Sequence, residues 1–342
     1  MKVLVTGNLG YVGTVLTKIL SARGYTITGL DIGYFKECFL QHIKQDLTQK
    51  IKDIREINLK DVQGFDAIIH LAGLSNDPLG EFNPGLTDQI NLESTINLAK
   101  LASKVGVKRF VYASSQSMYG ISKVDDELDE DKSEKNPVTA YARTKWEAEK
   151  VLKKMNNQDF TVACFRPSTV FGASPRLRCD IVYNNLVACA YTTGKIEILS
   201  DGTPWRPVVH VKDVCQAFIA GLEAPVEIIG GKAFNVGLPN GNFTVRELAE
   251  AAQRSVPGCE LVFVNEHTDP RSYKVSFNRI LTELGDYFKP EFDLDKGGAE
   301  LVDFFKAVNF TEEHFRGEKC IRLLSLNALQ DKKIIDNQLR YN

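Results

Sequence analysis

The chain has 342 residues, 43% of them hydrophobic and 25% charged, with a net charge of −2. That length allows a large core and about two domains, and the composition is that of an ordinary globular protein. The near-neutral charge gives no electrostatic case for nucleic acid or a membrane as a partner.

Seven cysteines, an odd number with no CxxC pair, predict reduced thiols and a cytoplasmic protein. The five histidines fall at no metal-ligand spacing, so no metal is expected. No apolar run approaches transmembrane length, and a strand starting at residue 2 predicts no signal or transit peptide.

Lys2-Val3-Leu4-Val5-Thr6 is a short β-branched, apolar run and reads as a buried strand. Gly7-Asn8-Leu9-Gly10-Tyr11-Val12-Gly13 follows, then a helical pattern at Val15, Leu16, Ile19 and Leu20. Gly7 permits a tight bend, Gly10 lets a pyrophosphate approach the backbone, and Gly13 lets helix and strand pack closely. The free N–H groups at the helix start would hold the phosphate. A second strand, Tyr25 to Leu30, ends in Asp31. An acid there accepts hydrogen bonds from ribose hydroxyls and repels a 2′-phosphate, and no Arg or Lys follows until Lys36, which favours NAD over NADP.

A short strand is then expected to lead to Gln45-Asp46-Leu47, where Asp46 either meets an adenine amino group or caps a surface turn. Asp66 to Leu71 reads as the fourth strand and runs into Ala72-Gly73-Leu74-Ser75, small residues that allow close backbone approach to a ligand. A helix from about Pro84 to Val105 contains Asn91. Val107 to Ala113 is a fifth strand, ending in Ser114-Ser115-Gln116-Ser117-Met118-Tyr119-Gly120, and the acidic run Asp125 to Asp131 reads as a solvated loop. Pro137 opens a helix carrying Tyr141 and Lys145, and Phe160 to Phe165 is a sixth strand meeting Arg166-Pro167.

After Pro167 the strict alternation of strands and helices gives way to loops and short elements, with Ser174 to Asp180 a basic loop. The expected architecture is α/β: a doubly wound parallel sheet with a smaller, mostly C-terminal α/β substrate lobe. Residues 1–167 and 207–237 form the first unit; 168–206 and 238–342 form the second, including an extension from about 308. Ligands are expected in the cleft between the two.

Tyr141 and Lys145 lie four apart on one helix and so share a face, where an ammonium lowers a neighbouring phenol's pKa and leaves a tyrosinate able to act as a base. Two further Tyr-x-x-x-Lys matches, Tyr119/Lys123 and Tyr191/Lys195, fall on poor helical sequence. Ser115, at the end of the fifth strand, is placed to bond the same substrate oxygen as Tyr141.

Together these motifs, with Leu71-Ala72-Gly73, Tyr119-Gly120, Arg166-Pro167 through Gly172, Arg206 with His210-Val211, and Arg271, resemble an extended short-chain dehydrogenase/reductase of the nucleotide-sugar epimerase/dehydratase type, over about Met1 to Pro290. The resemblance implies a Rossmann unit holding NAD through Gly7, Gly10, Tyr11, Val12, Gly13, Asp31, Asp46, Leu47, Leu71, Ala72, Gly73, Asn91, Ala113, Ser114, Tyr141, Lys145 and Pro167. It implies Ser115, Tyr141 and Lys145 as the catalytic set. A nucleotide-diphosphate sugar would meet Ser75, Ser115, Gln116, Thr169, Asn185, Arg206 and Arg271. A homodimer through the helices starting near Pro84 and Pro137 is a further implication.

Three departures bear on the reaction. Sugar 4,6-dehydratases of this type carry an Asp-Glu pair where this chain has Gln116 and Ser117, which disfavours dehydration. The usual Asn is Thr169, and the usual Arg-Asp is Arg206-Pro207. The reading that follows is an NAD-dependent epimerase, most simply at C4 through a 4-keto intermediate. Net oxidation or reduction of the sugar and a non-catalytic NAD-binding protein remain as alternatives. The apolar residues beyond Val308, such as Leu326, Ile335 and Leu339, predict a packed helical extension or a dimer contact.

Overall fold

A computed structural model describes residues 1–41, 46–120, 127–264 and 272–342. Its centre is a seven-stranded parallel sheet: β1 (Lys2–Thr6), β2 (Thr26–Asp31), β3 (Thr48–Ile51), β4 (Ala67–His70), β5 (Arg109–Ala113), β6 (Thr161–Pro167) and β7 (Lys232–Val236). The order is β7-β6-β5-β4-β1-β2-β3, so the chain reverses direction across the sheet between β1 and β4. In such sheets the crevice at the carboxyl ends, where the order reverses, is where ligands bind.

The strands are apolar throughout because both faces are covered. Val3 and Val5 of β1, Ile69 of β4 and Val111 of β5 point to one face, packed by the helices Tyr11–Ala22 and Val211–Glu223. Leu4, Ile68, Phe110 and Tyr112, one residue out of phase, point to the other, packed by the helices Ser94–Lys104 and Ala140–Met155. This period-two division fixes the register, since a slip of one residue would exchange the faces.

His70, at the end of β4, is fully buried, with Nδ1 2.7 Å from Thr6 Oγ1 and Nε2 2.7 Å from Thr95 Oγ1. Burial, aided by the Lys145 charge, pushes it down from 6.5 to about 3. The folded state therefore keeps His70 neutral while the unfolded chain takes up a proton below about 6.5. The stability this neutral ring contributes is complete above that value and drains away as the pH falls from 6.5 towards 3. His70→Gln should flatten this part of the curve of urea midpoint against pH.

A second core lies beyond β6. Strands 169–171, 205–210 and 242–244 form one small sheet, and strands 195–198 and 260–263 pair in parallel. The helices Val182–Thr193, Val245–Ser255 and Leu294–Ala307 pack there around Tyr183, Leu248 and Leu301.

The C-terminal extension bridges both cores. Phe310, Phe315 and Cys320 join the smaller one, whereas Leu326, Ile335 and Leu339 are buried against the central-sheet side. The segment from about 322 thus packs on the central-sheet side.

One strand lies later than the sequence reading placed it. Asp46 and Leu47 precede β3 instead of ending it, and Asp46 is exposed. Ligands meet a parallel strand at its carboxyl end, which here is Lys52-Asp53-Ile54.

Candidate active site

A cleft of about 650 Å3 runs along the carboxyl ends of the sheet and up to the smaller lobe. Its floor is the turn after β1. Gly7 has φ +75°, and a Cβ there would lie 2.7 Å from the Ala72 nitrogen, so the loops after β1 and β4 touch only because residue 7 has no side chain. A Cβ on Gly13 would lie 2.3 Å from the Gly7 carbonyl oxygen, which is the close helix–turn packing expected of it. The helix that starts at Tyr11 has no acidic residue in its first turn, leaving its positive end open to phosphate.

Asp31 ends β2 beside this turn. Its carboxylate accepts hydrogen bonds from Leu9 N–H (3.1 Å) and Gly33 N–H (2.8 Å). Burial raises its pKa against the opposing pull of those bonds and of Arg176 and Arg322.

At the other end, β5 and the helix Ala140–Met155 bring Ser115, Tyr141 and Lys145 together. Thr139 caps the helix by accepting from Ala142 N–H at 3.2 Å, and Glu81 accepts from Ala140 N–H at 2.6 Å. Gly80 lies flush on Tyr141, where a Cβ would approach the tyrosine Cβ to 2.8 Å, so the helix Asp77–Phe82 and the start of this helix meet closely only because residue 80 has no side chain. Lys145 Nζ donates to the Ala113 carbonyl at 2.7 Å and stands 5.9 Å from the centre of the Tyr141 ring.

Ser115 Oγ accepts from Ser117 N–H at 3.1 Å, donates to Ser117 Oγ at 3.0 Å, and is a hydrogen-bond partner of the Tyr141 phenol. The expectation that Lys145 depresses Tyr141 is not met. Burial raises the phenol and outweighs the lowering by Ser115 and Arg178, with Asp77 adding to the rise. Lys145 is itself pushed down to about 8 by burial, so it is a weak cationic neighbour above neutral pH.

A pH dependence follows. If turnover needs the Lys145 ammonium, the rate should fall as pH rises through about 8, where Lys145 loses its proton. An exposed lysine would hold that limb above about 10. A profile of kcat/KM against pH checks the limb, and Lys145→Arg should move it upward.

The other Tyr-x-x-x-Lys matches play different parts. Tyr119 is buried, accepting from Arg166 Nη1 at 2.8 Å and donating to Asn235 Oδ1 at 2.9 Å; Lys123 lies outside the described residues. Tyr191 packs on Phe305 in the smaller lobe.

Of the other residues read from the sequence, Gly10, Val12, Leu71, Gly73, Ser75, Ala113, Ser114, Gln116, Pro167, Thr169 and Arg206 line the cleft. Asp46, Leu47, Asn91 and Asn185 are not among its lining residues. Asn91 clamps the backbone of Leu74, donating to its carbonyl at 3.0 Å and accepting from its N–H at 2.8 Å. Asn185 donates to the Cys179 carbonyl at 2.9 Å. Arg271 lies outside the described residues.

Among the lining residues that the sequence does not point to, four bear on the site. Asp53 and Ile54 follow β3, and the misplaced strand hid them. Arg178 belongs to the basic loop, whose charge was the available signal, and it is fixed by Asp180 (2.9 and 3.0 Å). Arg322 comes from the extension, and no local pattern pointed to it.

No group of three or more potential metal ligands occurs among the described residues. Within the same residues no helix is long and apolar enough to cross a membrane.

The sequence matches the NAD dependent epimerase/dehydratase family over residues 3–237. It is 30% identical over 292 residues to UDP-glucose 4-epimerase of Bacillus subtilis (strain 168), covering 77% of this chain and 84% of that protein. It is 29% identical over 325 residues to UDP-glucuronic acid decarboxylase 2 of Arabidopsis thaliana, covering 92% and 70%. The fold is similar to UDP-glucuronic acid 4-epimerase from Bacillus cereus, a structure in complex with UDP-glucuronic acid and NAD, at a TM-score of 0.75 and 21% identity over 90% of this chain and all of that one. The glycine turn, the open helix start and Asp31 fit the dinucleotide such a family requires. The chain belongs to the NAD-dependent epimerase/dehydratase family, with NAD as its cofactor.

Proposed function

We propose that the chain is a nucleotide-sugar epimerase acting at C4 through a 4-keto intermediate. The observation that carries this is the convergence of Ser115, Tyr141 and Lys145 in a cleft whose neighbouring positions, Gln116 and Ser117, bear no acid. Gln116 is committed through Nε2 to the Arg166 carbonyl at 3.0 Å, and an amide neither gives nor takes a proton at neutral pH. Two carboxylates that do face this part of the cleft are already held: Asp180 by Arg178, and Asp77 by Thr139 at 2.6 Å.

NAD, held by the turn from Gly7 to Gly13 and by Asp31, would supply a reversible hydride acceptor for the sugar carbon. Tyr141, as tyrosinate, takes the proton of the sugar hydroxyl as the carbonyl forms, and gives it back when the carbonyl is reduced from the opposite face. Ser115 donates to the same oxygen and holds it against the phenol. Lys145, anchored on Ala113, would hold the nicotinamide ribose. Arg206 takes the nucleotide diphosphate, with Ser75 and Thr169 beside the sugar.

In this reading, residues 1–167 with 207–237 carry the cofactor and the rest of the smaller lobe carries the sugar nucleotide. The protein is cytoplasmic, in keeping with seven free cysteines. It is a homodimer through the helices from Pro84 and Ala140, and light scattering at micromolar concentration checks that state.

The deciding experiment incubates the protein with UDP-, GDP-, CDP- and dTDP-sugars, following reduced nicotinamide absorbance and product NMR. Interconversion of C4 epimers without net reduced cofactor supports the reading. Accumulating reduced cofactor, loss of water or release of carbon dioxide replaces it with a dehydrogenase, a dehydratase or a decarboxylase.

A further inference from the structure

Arg176 and Arg322 meet beside the glycine turn. Arg176, fully buried, donates from Nε to the Leu9 carbonyl at 3.2 Å, and its guanidinium lies over Phe35 and Phe39 at 5.5 and 5.1 Å. Arg322, 2% exposed, comes from the helix Arg322–Asp331 of the extension, lines the cleft and lies over the same Phe35 ring at 4.8 Å. It donates from Nη2 to the Arg176 carbonyl at 2.9 Å.

The remaining guanidinium nitrogens are the unusual feature. Nη1 and Nη2 of Arg176 and Nη1 of Arg322 are buried with no hydrogen-bond acceptor among the described residues. Buried donors of this kind are costly, and more so on two adjacent cations. Burial and the charges of Arg176 and Arg178 push Arg322 down to about 9. The negative groups within reach are already engaged. Asp31 accepts from Leu9 and Gly33, and Asp180 is held by Arg178. An anion arriving at the cleft would meet Arg322, which lines it and whose Nη1 has no partner among the described residues, beside Arg176.

We propose that Arg322, together with Arg176, binds the diphosphate of the dinucleotide, making the C-terminal segment a wall of the cofactor site. The diphosphate is favoured over a 2′-phosphate because Arg176 reaches the turn itself, through Leu9, while the Asp31 carboxylate stands where a 2′-phosphate would be repelled. The segment is built to hold this position: Leu326, Ile335 and Leu339 are buried, Cys320 accepts from Cys179 N–H at 3.0 Å, and Arg55 Nη1 donates to the Gln338 carbonyl at 2.8 Å. The proposal concerns cofactor binding alone and stands whichever sugar chemistry the enzyme performs.

The test is calorimetric binding of NAD, ADP-ribose, adenosine and NADP to protein stripped of dinucleotide, for the wild type and Arg322→Gln. The expected result is that NAD and ADP-ribose bind about tenfold or more weakly to the variant, as for loss of a charge-assisted hydrogen bond, while adenosine stays within twofold. Equal loss for adenosine and ADP-ribose means a merely structural arginine and overturns the proposal, as does unchanged ADP-ribose binding. Loss confined to NADP assigns the arginines to a 2′-phosphate and overturns it too. If Arg322→Gln does not fold, the wild type decides through salt. ADP-ribose affinity must fall with ionic strength more steeply than adenosine affinity, and equal slopes refute the assignment.

Discussion

Tyr141→Phe should lower turnover of the nucleotide sugar by about 10^3-fold, the usual weight of a lost acid–base group, with NAD affinity within twofold of wild type. The substitution removes only the phenolic oxygen. The Tyr141 Cβ still packs on Gly80, and Lys145 keeps its bond to the Ala113 carbonyl, so the cofactor side of the cleft is left in place. The loss should fall on kcat rather than KM, because the proton is transferred in the transition state and not in the bound ground state. Turnover within tenfold of wild type would place the base elsewhere. Steady-state kinetics with product NMR and a separate NAD titration read both numbers.

How much of this site could be read from the sequence depended on how local each signal is. The turn from Gly7 to Gly13, Asp31 at the end of β2, and Tyr141 with Lys145 each lie within one element or at its edge, where spacing and residue type suffice. Asp53 was missed through a strand boundary: Thr48–Ile51 is short and largely polar or exposed, so its end is not marked by apolar periodicity. Asn91 sits on the expected helix, but which way its amide is spent depends on Leu74, a contact made only by the packing of the loop after β4 on that helix.

Arg322 is the extreme case. It lies 146 positions from Arg176, and only the course of the extension back across the central-sheet side brings the two together. The pKa of Tyr141 belongs to the same class. Helical spacing correctly places Lys145 beside it, but the sign of the net shift is decided by burial, a property of the assembled cleft.

Arg166→Met should cost about 3–5 kcal/mol of stability, the range for stripping one partner from a buried ion pair. Arg166 and Glu149 are completely buried and bonded twice, Nη2 to Oε1 at 2.5 Å and Nε to Oε2 at 3.0 Å. The pair joins β6 to the helix that carries Tyr141 and Lys145. Ser114, next to the Ala113 carbonyl that receives Lys145, donates to the same carboxylate at 2.6 Å. Removing the arginine therefore leaves an uncompensated carboxylate under the catalytic helix and unties that helix from β6. The urea midpoint should fall, and Lys145-dependent turnover should fall with it at temperatures where the variant is still folded. The double variant Glu149→Leu with Arg166→Met separates the two consequences. With no charge left unpaired it should recover most of the stability. It should not recover the turnover, because Ser114 then has no carboxylate to hold it and the Ala113 carbonyl loses its fixed place. If the double variant is as unstable as Arg166→Met, the cost lies in lost packing and the ion pair is not what holds the helix to the sheet.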